Sequence, residues 1–231
     1  MATVSKKMRF VTCILLLAGL GGFLLWQKFM VVHEPFMDNA FYKFELDSIK
    51  SQRRVLSNDK AGLKKVKAAF IKSITGKIFP YWYGTKWDFN GTTQLPQEGS
   101  IACGYFVTTT LEDMGVPINR VKMAQCASEE MIRSLVSKKN LHHLSGMSLL
   151  EFEKKMENIG QGLYIIGLDN HTGYILISET GNFFIHSSGW FPFKVVKDKL
   201  SESTVIGKSK YRVVGKISDD EGFLKKWLEI K

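Results

Sequence analysis

Between Ala61 and Ile74 the apolar residues recur every three or four positions. Leu63, Val66, Ala69, Phe70 and Ile74 fall on one helical face with lysines opposite. Gly76 is the expected stop. The stretch that follows, IFPYWYGTKWDFNGTTQLPQEG, has neither a helical nor a strand period and is expected as irregular loop. A second helix is expected from near Ile101 through CGYFVTTTLEDM, ending at Gly115 and Pro117. One or two more fill roughly 127–158, where Ser148 followed by Glu151 reads as a capping box. From Gly162 the period changes. GLYIIGL, TGYILIS, NFFIHSS, FKVVK and YRVVGKI are β-branched and aromatic runs separated by turn residues, which predicts an antiparallel meander. Helices first and strands afterwards is the order of an α+β fold.

Ahead of this pattern lies a longer apolar run. Phe10 to Gln27 carries no charge, follows Lys6, Lys7 and Arg9, and ends without a small-residue cleavage pattern. As a helix it rises about 27 Å, close to the hydrocarbon thickness of a bilayer. The expectation is therefore an uncleaved single transmembrane helix over 10–32 behind a basic cytoplasmic tail, 1–9. Residues 33–60 read as a stalk or helix outside the domain, and a globular domain over 61–231 would face outward, to the periplasm or cell surface.

Composition narrows the function classes. The 231 residues are 45% hydrophobic and 12% aromatic, which suits one domain with appendages rather than a disordered chain. A formal charge of +10 favours anionic neighbours or a solvated basic face. No nucleic-acid module is present and the lysines are not interleaved with aromatics, so no nucleic acid is expected as a partner. Three cysteines, at 13, 103 and 126, do not make a disulfide scaffold. A bridge between Cys103 and Cys126 would silence Cys103 as a nucleophile. His142-His143 lacks partners at ligand spacing, so no metal is expected. Asp219-Asp220-Glu221 reads as a turn before the last helix.

Three residues carry candidate chemistry. Cys103 opens a helix after a glycine-bearing loop, where free N–H groups and the helix dipole favour a thiolate and an oxyanion. His171 opens a strand after the Asp169-Asn170 turn, placed to face such a helix start as a general base. His186 lies fifteen residues on, in the neighbouring strand, where it would orient His171. Taken singly, each residue has a plainer reading: a buried small hydrophobe, or structural histidines. The ordered set is more specific, and it points to acyl transfer through a thioester with no cofactor. Trp87 and Phe89, in the loop before Cys103, are either a substrate wall or simple loop packing.

The segments Tyr81-Trp82-Tyr83-Gly84-Thr85, Cys103-Gly104-Tyr105-Phe106-Val107, His171-Thr172-Gly173-Tyr174-Ile175 and Gly181 through Ser188 together resemble the NlpC/P60 superfamily of papain-like cysteine peptidases. That resemblance implies a papain-like α+β domain, N-terminal helices packed on an antiparallel sheet or partial barrel, and cleavage of amide bonds in bacterial cell-wall peptides. It implies Cys103 as nucleophile, His171 as base, His186 as third member, and Tyr81 as the tyrosine whose hydroxyl lies beside the nucleophile. The chain departs from the family around the nucleophile, reading Ala102-Cys103-Gly104-Tyr105 where Asp-Cys-Ser-Gly is usual. The same thiol machinery on another amide or ester, such as a lipid-linked acyl group or a protein glutamine, is one alternative. A non-catalytic module binding a cell-wall peptide or partner is the other.

Overall fold

A computed structural model describes residues 37–229. They form an α+β fold around a six-stranded sheet. The helices are α1 (Tyr42–Asn58), α2 (Leu63–Ser73), α3 (Phe79–Trp82), α4 (Cys103–Asp113), α5 (Arg120–Gln125) and α6 (Ser128–Leu135), with α7 (Leu149–Ile159), α8 (Thr204–Lys208) and α9 (Glu221–Leu228) later in the chain. The strands are β1 (Leu141–His143), β2 (Gly162–Leu168), β3 (Thr172–Ser178), β4 (Gly181–Ser187), β5 (Val195–Lys199) and β6 (Arg212–Lys216).

Every strand pairing is antiparallel, in the order β1-β6-β2-β3-β4-β5. The expected meander holds for β2 to β5. The last strand departs from it, crossing back to lie between β1 and β2. Burial explains why: β2 is covered on both faces along its whole length, and an edge strand so apolar would leave its backbone unpaired. Leu163 and Ile165 pack with α1, α2, α4, α6 and α9, whereas Tyr164, Ile166 and Leu168 pack with α7 and Ile206 of α8. The helices therefore cover both faces rather than one.

Three further expectations are corrected. No helix among the described residues is long and apolar enough to cross a membrane. The span expected over 10–32 and the tail before it lie outside the described residues, so the transmembrane helix, and the single-pass localisation built on it, are removed from this description. Second, the fold takes in described residues well ahead of the expected boundary at 61. The presumed stalk contains α1, which buries Tyr42, Ile49, Arg53 and Leu56. Its Arg53 donates to the carbonyl oxygens of Trp227 (2.6 Å) and Glu229 (2.8 Å), fastening the two ends of the described chain together. Third, Gly76 does not stop the helix. A π-helical turn, Ile74–Ile78, carries it into α3, because Ile78, Phe79 and Trp82 are fully buried in a segment expected as loop.

The capping box at Ser148 forms as expected, and Asp220 caps α9 while holding Ser137 and Asn140. One buried polar cluster ties α1 to α4. The Trp82 indole donates to the Tyr42 hydroxyl (2.8 Å), which in turn donates to the Asp113 carboxylate. Burial pushes Asp113 up to about 7. An acid whose folded pKa is raised holds its proton longer than the unfolded chain does, so stability should fall as pH rises from about 4 to about 7. Asp113→Asn is expected to flatten that fall, raising the melting temperature at pH 8 more than at pH 4. Equal shifts at both pH values in thermal denaturation would refute it.

Candidate functional site

Cys103 is the first residue of α4, and the sequence around it is built to hold that helix start in place. Ala102 occupies the N-cap in extended conformation without a side-chain cap. Its N–H donates to Gly91 O (2.9 Å), and Ile101 N donates to Lys86 O (2.9 Å), so the preceding loop anchors the entry. Gly104 lies against the Ala124 carbonyl, where an added Cβ would stand 2.6 Å from the oxygen. The helix is pinned to β3 by the Tyr174 hydroxyl, 2.9 Å from Val107 O and 2.8 Å from Thr110 Oγ1. Ser187, at the end of β4, donates to Ile101 O (2.7 Å).

His171 precedes β3 and His186 sits within β4. The register pairs Tyr174 with Ile185, bringing Gly173 beside His186. A Cβ at Gly173 would stand 2.7 Å from that of His186, so a side chain there would push the histidine away. Both imidazoles are buried, His186 completely. His171 Nε2 and His186 Nδ1 lie 2.8 Å apart with the rings nearly perpendicular, at 87°. Phe184 stacks on His186 at 4.0 Å, and Trp190 meets His171 edge-on at 5.6 Å.

Behind His186 stands a residue that the sequence reading missed. Asp198 of β5 places Oδ2 3.1 Å from His186 Nε2. Val196 pairs with His186, so Asp198, two residues on, shares its face. An acidic residue at an alternate position of the FKVVKDK run was the available signal.

This carboxylate sets the protons along the chain. An ionised Asp198 only accepts, so His186 Nε2 carries the hydrogen and Nδ1 keeps a lone pair. His171 Nε2 must then donate to that lone pair, leaving His171 Nδ1 as a free acceptor. Among the described residues no hydrogen bond engages that Nδ1.

Cys103 and His171 together line two cavities, one of about 480 Å³ on the side of Ala127, Ser128 and Tyr211 and one of about 650 Å³ on the side of Trp87 and Trp190. The N–H of Thr172, the residue after His171, faces the Cys103 sulfur together with the N–H groups of Gly104 and Cys103 itself. Trp87 and Phe89 line the second cavity. Tyr81 lines neither: it is buried, its ring 5.1 Å from Tyr42, and its backbone oxygen accepts from Gln97. The tyrosines on the cavity walls are Tyr211 in the first and Tyr105 in the second.

Electrostatics depart from the expected thiolate. Burial pushes the Cys103 thiol up, and the three backbone N–H groups offset this only in part. Burial, with the neighbouring His186, holds His171 well below the usual histidine range. Burial also lowers His186, against the pull of Asp198. The resting pair is a neutral thiol beside a neutral imidazole. Cys103 and Cys126 are both free, and Cys126 donates to Met123 O (3.2 Å). No group of three or more potential metal-ligating side chains occurs among the described residues.

No family model matches this chain, nor does any curated protein or solved structure. Assignment of a function therefore rests on the geometry and on the motifs themselves.

The lowered His171 gives a direct test. Its ring should stay neutral at pH 6, where an exposed histidine is largely charged, and NMR of the labelled imidazoles should report a protonated Nε2 and a bare Nδ1. Because the folded chain binds fewer protons here than the unfolded one, stability should drop as pH falls below about 6.5. A charged His171 ring at pH 6 would overturn the assignment.

Proposed function

We propose that this protein is a cysteine hydrolase that cleaves an amide bond through a thioester on Cys103. The observation that carries the reading is the hydrogen-bonded row His171–His186–Asp198, whose first member lines the same two cavities as Cys103 at its helix start. The motif resemblance to the NlpC/P60 superfamily supports it, and suggests cell-wall peptides as a substrate class.

In this mechanism the neutral His171 Nδ1 takes the thiol proton as Cys103 Sγ attacks the carbonyl. Proton transfer and attack are coupled, because neither an isolated thiolate nor an isolated imidazolium is favoured in this buried setting. N–H groups at the uncapped start of α4 donate to the developing oxyanion. The imidazolium then protonates the leaving amine, the C–N bond breaks, and the acyl group remains on sulfur. Water, deprotonated by the same Nδ1, releases the acid and restores the thiol. Asp198 does not touch substrate. It acts by holding His186, and through it His171, in the tautomer that leaves Nδ1 basic.

Cys103→Ala should retain the fold by circular dichroism and lose turnover of purified sacculi or model amides. Retained turnover would remove the nucleophile. Asp198 is partly exposed, so its variants should also fold. Asp198→Asn keeps an acceptor and loses the charge, and should lower kcat by roughly tenfold, a charge-assisted hydrogen bond discounted for solvent. Asp198→Lys presents only donors, and should lower kcat by roughly a hundredfold, the smaller end of what a general base contributes. Equal kcat for all three side chains would remove the positioning role.

A further inference from the structure

The two cavities that meet at Cys103 differ in chemistry. On the Ser128 side two carboxylates line the wall, and both are already committed. Glu129 accepts from Tyr211, from His143 Nε2 (2.9 Å) and from Arg133 Nε (2.8 Å), which together hold it down to about 2. Asp169 accepts from Ser209 Oγ and from the N–H groups of Lys210 and Tyr211.

On the other side the wall is Trp87, Phe89, Tyr105 and Trp190, with Asn90 and Gln125 among the polar groups. Among the described residues no Asp, Glu, Lys or Arg lines it. Its rim extends outward as exposed aromatic surface: Phe89 is 80% exposed, Phe191 66%, Phe193 51% and Trp190 47%. Phe193 is held against the cavity wall. Trp87 N donates to Phe193 O (2.8 Å), the two rings lie 6.3 Å apart, and Trp87 packs on Gly189. Exposed large aromatic side chains gathered beside a cavity mark a candidate binding site.

We propose that this cavity holds an uncharged alkyl chain, so that the substrate is an amide carrying a straight hydrocarbon chain on one side of its scissile bond. The inference rests on Cys103 as the nucleophile and names the substrate class. A charge placed there would be desolvated without a partner, which excludes ionised side chains and free carboxylates from this side. About 650 Å³ is the scale of a whole small-molecule ligand, more than one amino-acid side chain requires. Phenylalanine edges offer a sugar no hydrogen bonds, whereas they bury methylenes well. In the reaction Cys103 Sγ forms a bond to the acyl carbonyl, the C–N bond breaks, and the thiol proton leaves on the amine by way of His171. Water then cleaves the thioester to the carboxylic acid.

Two measurements on the full chain separate this inference from the nucleophile assignment. The first is kcat/KM for N-acyl anilides from acetyl to decanoyl, and for acetamides with N-alkyl chains of the same lengths. One series should gain roughly three- to fourfold per methylene, the value of a buried CH₂, and Phe89→Ser should reduce that slope. The second is calorimetric titration of Cys103→Ala with octanamide, acetamide, the octanamide analogue ending in a carboxylate, and N-acetylglucosamine. Octanamide should bind at least tenfold more tightly than the other three, with a negative heat-capacity change. Turnover that is flat with chain length in both series would overturn the alkyl subsite while leaving the nucleophile intact. Preference for the sugar or the carboxylate would overturn it as well. Selective octanamide binding, with no turnover of any amide by the wild type, would uphold the subsite and defeat the hydrolase reading.

Discussion

Two imidazoles in direct contact inside a sheet impose an order on their surroundings. A hydrogen bond between His171 Nε2 and His186 Nδ1 needs one donor and one acceptor, so the rings cannot both be doubly protonated. Burial forbids charge on either without compensation, and the pair rests neutral. Which nitrogen carries each hydrogen is then decided from outside the pair, and Asp198 is the group in reach of the far end. Remove the contact and His171 becomes an ordinary buried histidine with no reason to present one nitrogen rather than the other.

The contact in turn constrains the backbone. β3 and β4 must pair so that the residue beside His186 has no side chain, which is the role of Gly173. β5 must run far enough to bring Asp198 level, and α4 must be held to the same strands. The Tyr174, Thr110 and Ser187 hydroxyls do this through hydrogen bonds buried in the helix–sheet layer. Each buried hydroxyl there would cost about 1–3 kcal/mol if left unpaired. The helix therefore has few ways to slide while its polar groups stay satisfied. Rigid placement of Cys103 follows from polar satisfaction in the core as much as from apolar packing.

How far the chain could be read in advance tracks the range of the interaction involved. Local periodicity located β2 to β6 to within a residue or two, and the Ser148 capping box, because alternation and capping are properties of neighbours. Cys103 and His171 stood out because each lies at a junction between a turn and a regular element, and His186 because it lies in the strand next to His171. Long-range facts were not legible. The crossover of β6 depends on both faces of β2 being covered, and α1 joins the core through Arg53, whose partners are more than 170 residues away in the chain. Tyr81 was placed by motif alone, and its burial against Tyr42 requires α1, which had been read as a stalk or helix outside the domain. Asp198 was overlooked because its importance comes from the diagonal geometry of a strand pair rather than from any local signature.

Position 102, just before Cys103, governs how the start of α4 is finished. A serine, threonine, aspartate or asparagine at the N-cap commonly folds back onto the second or third free N–H of a helix and gains about 1 kcal/mol. Position 102 is alanine and makes no such cap, while its own N–H is spent on Gly91 O. The start of α4 is consequently less stable than it might have been made, and its first N–H groups are left facing the sulfur. In a purely structural helix that would be a defect to repair. On the proposed mechanism the same donors would meet the charge that develops on a carbonyl attacked by Cys103, and a capping side chain would compete for them. In that proposal, forgoing the cap trades a small amount of helix stability for donors already oriented toward the sulfur, which is the form that electrostatic preorganisation takes at a helix N-terminus.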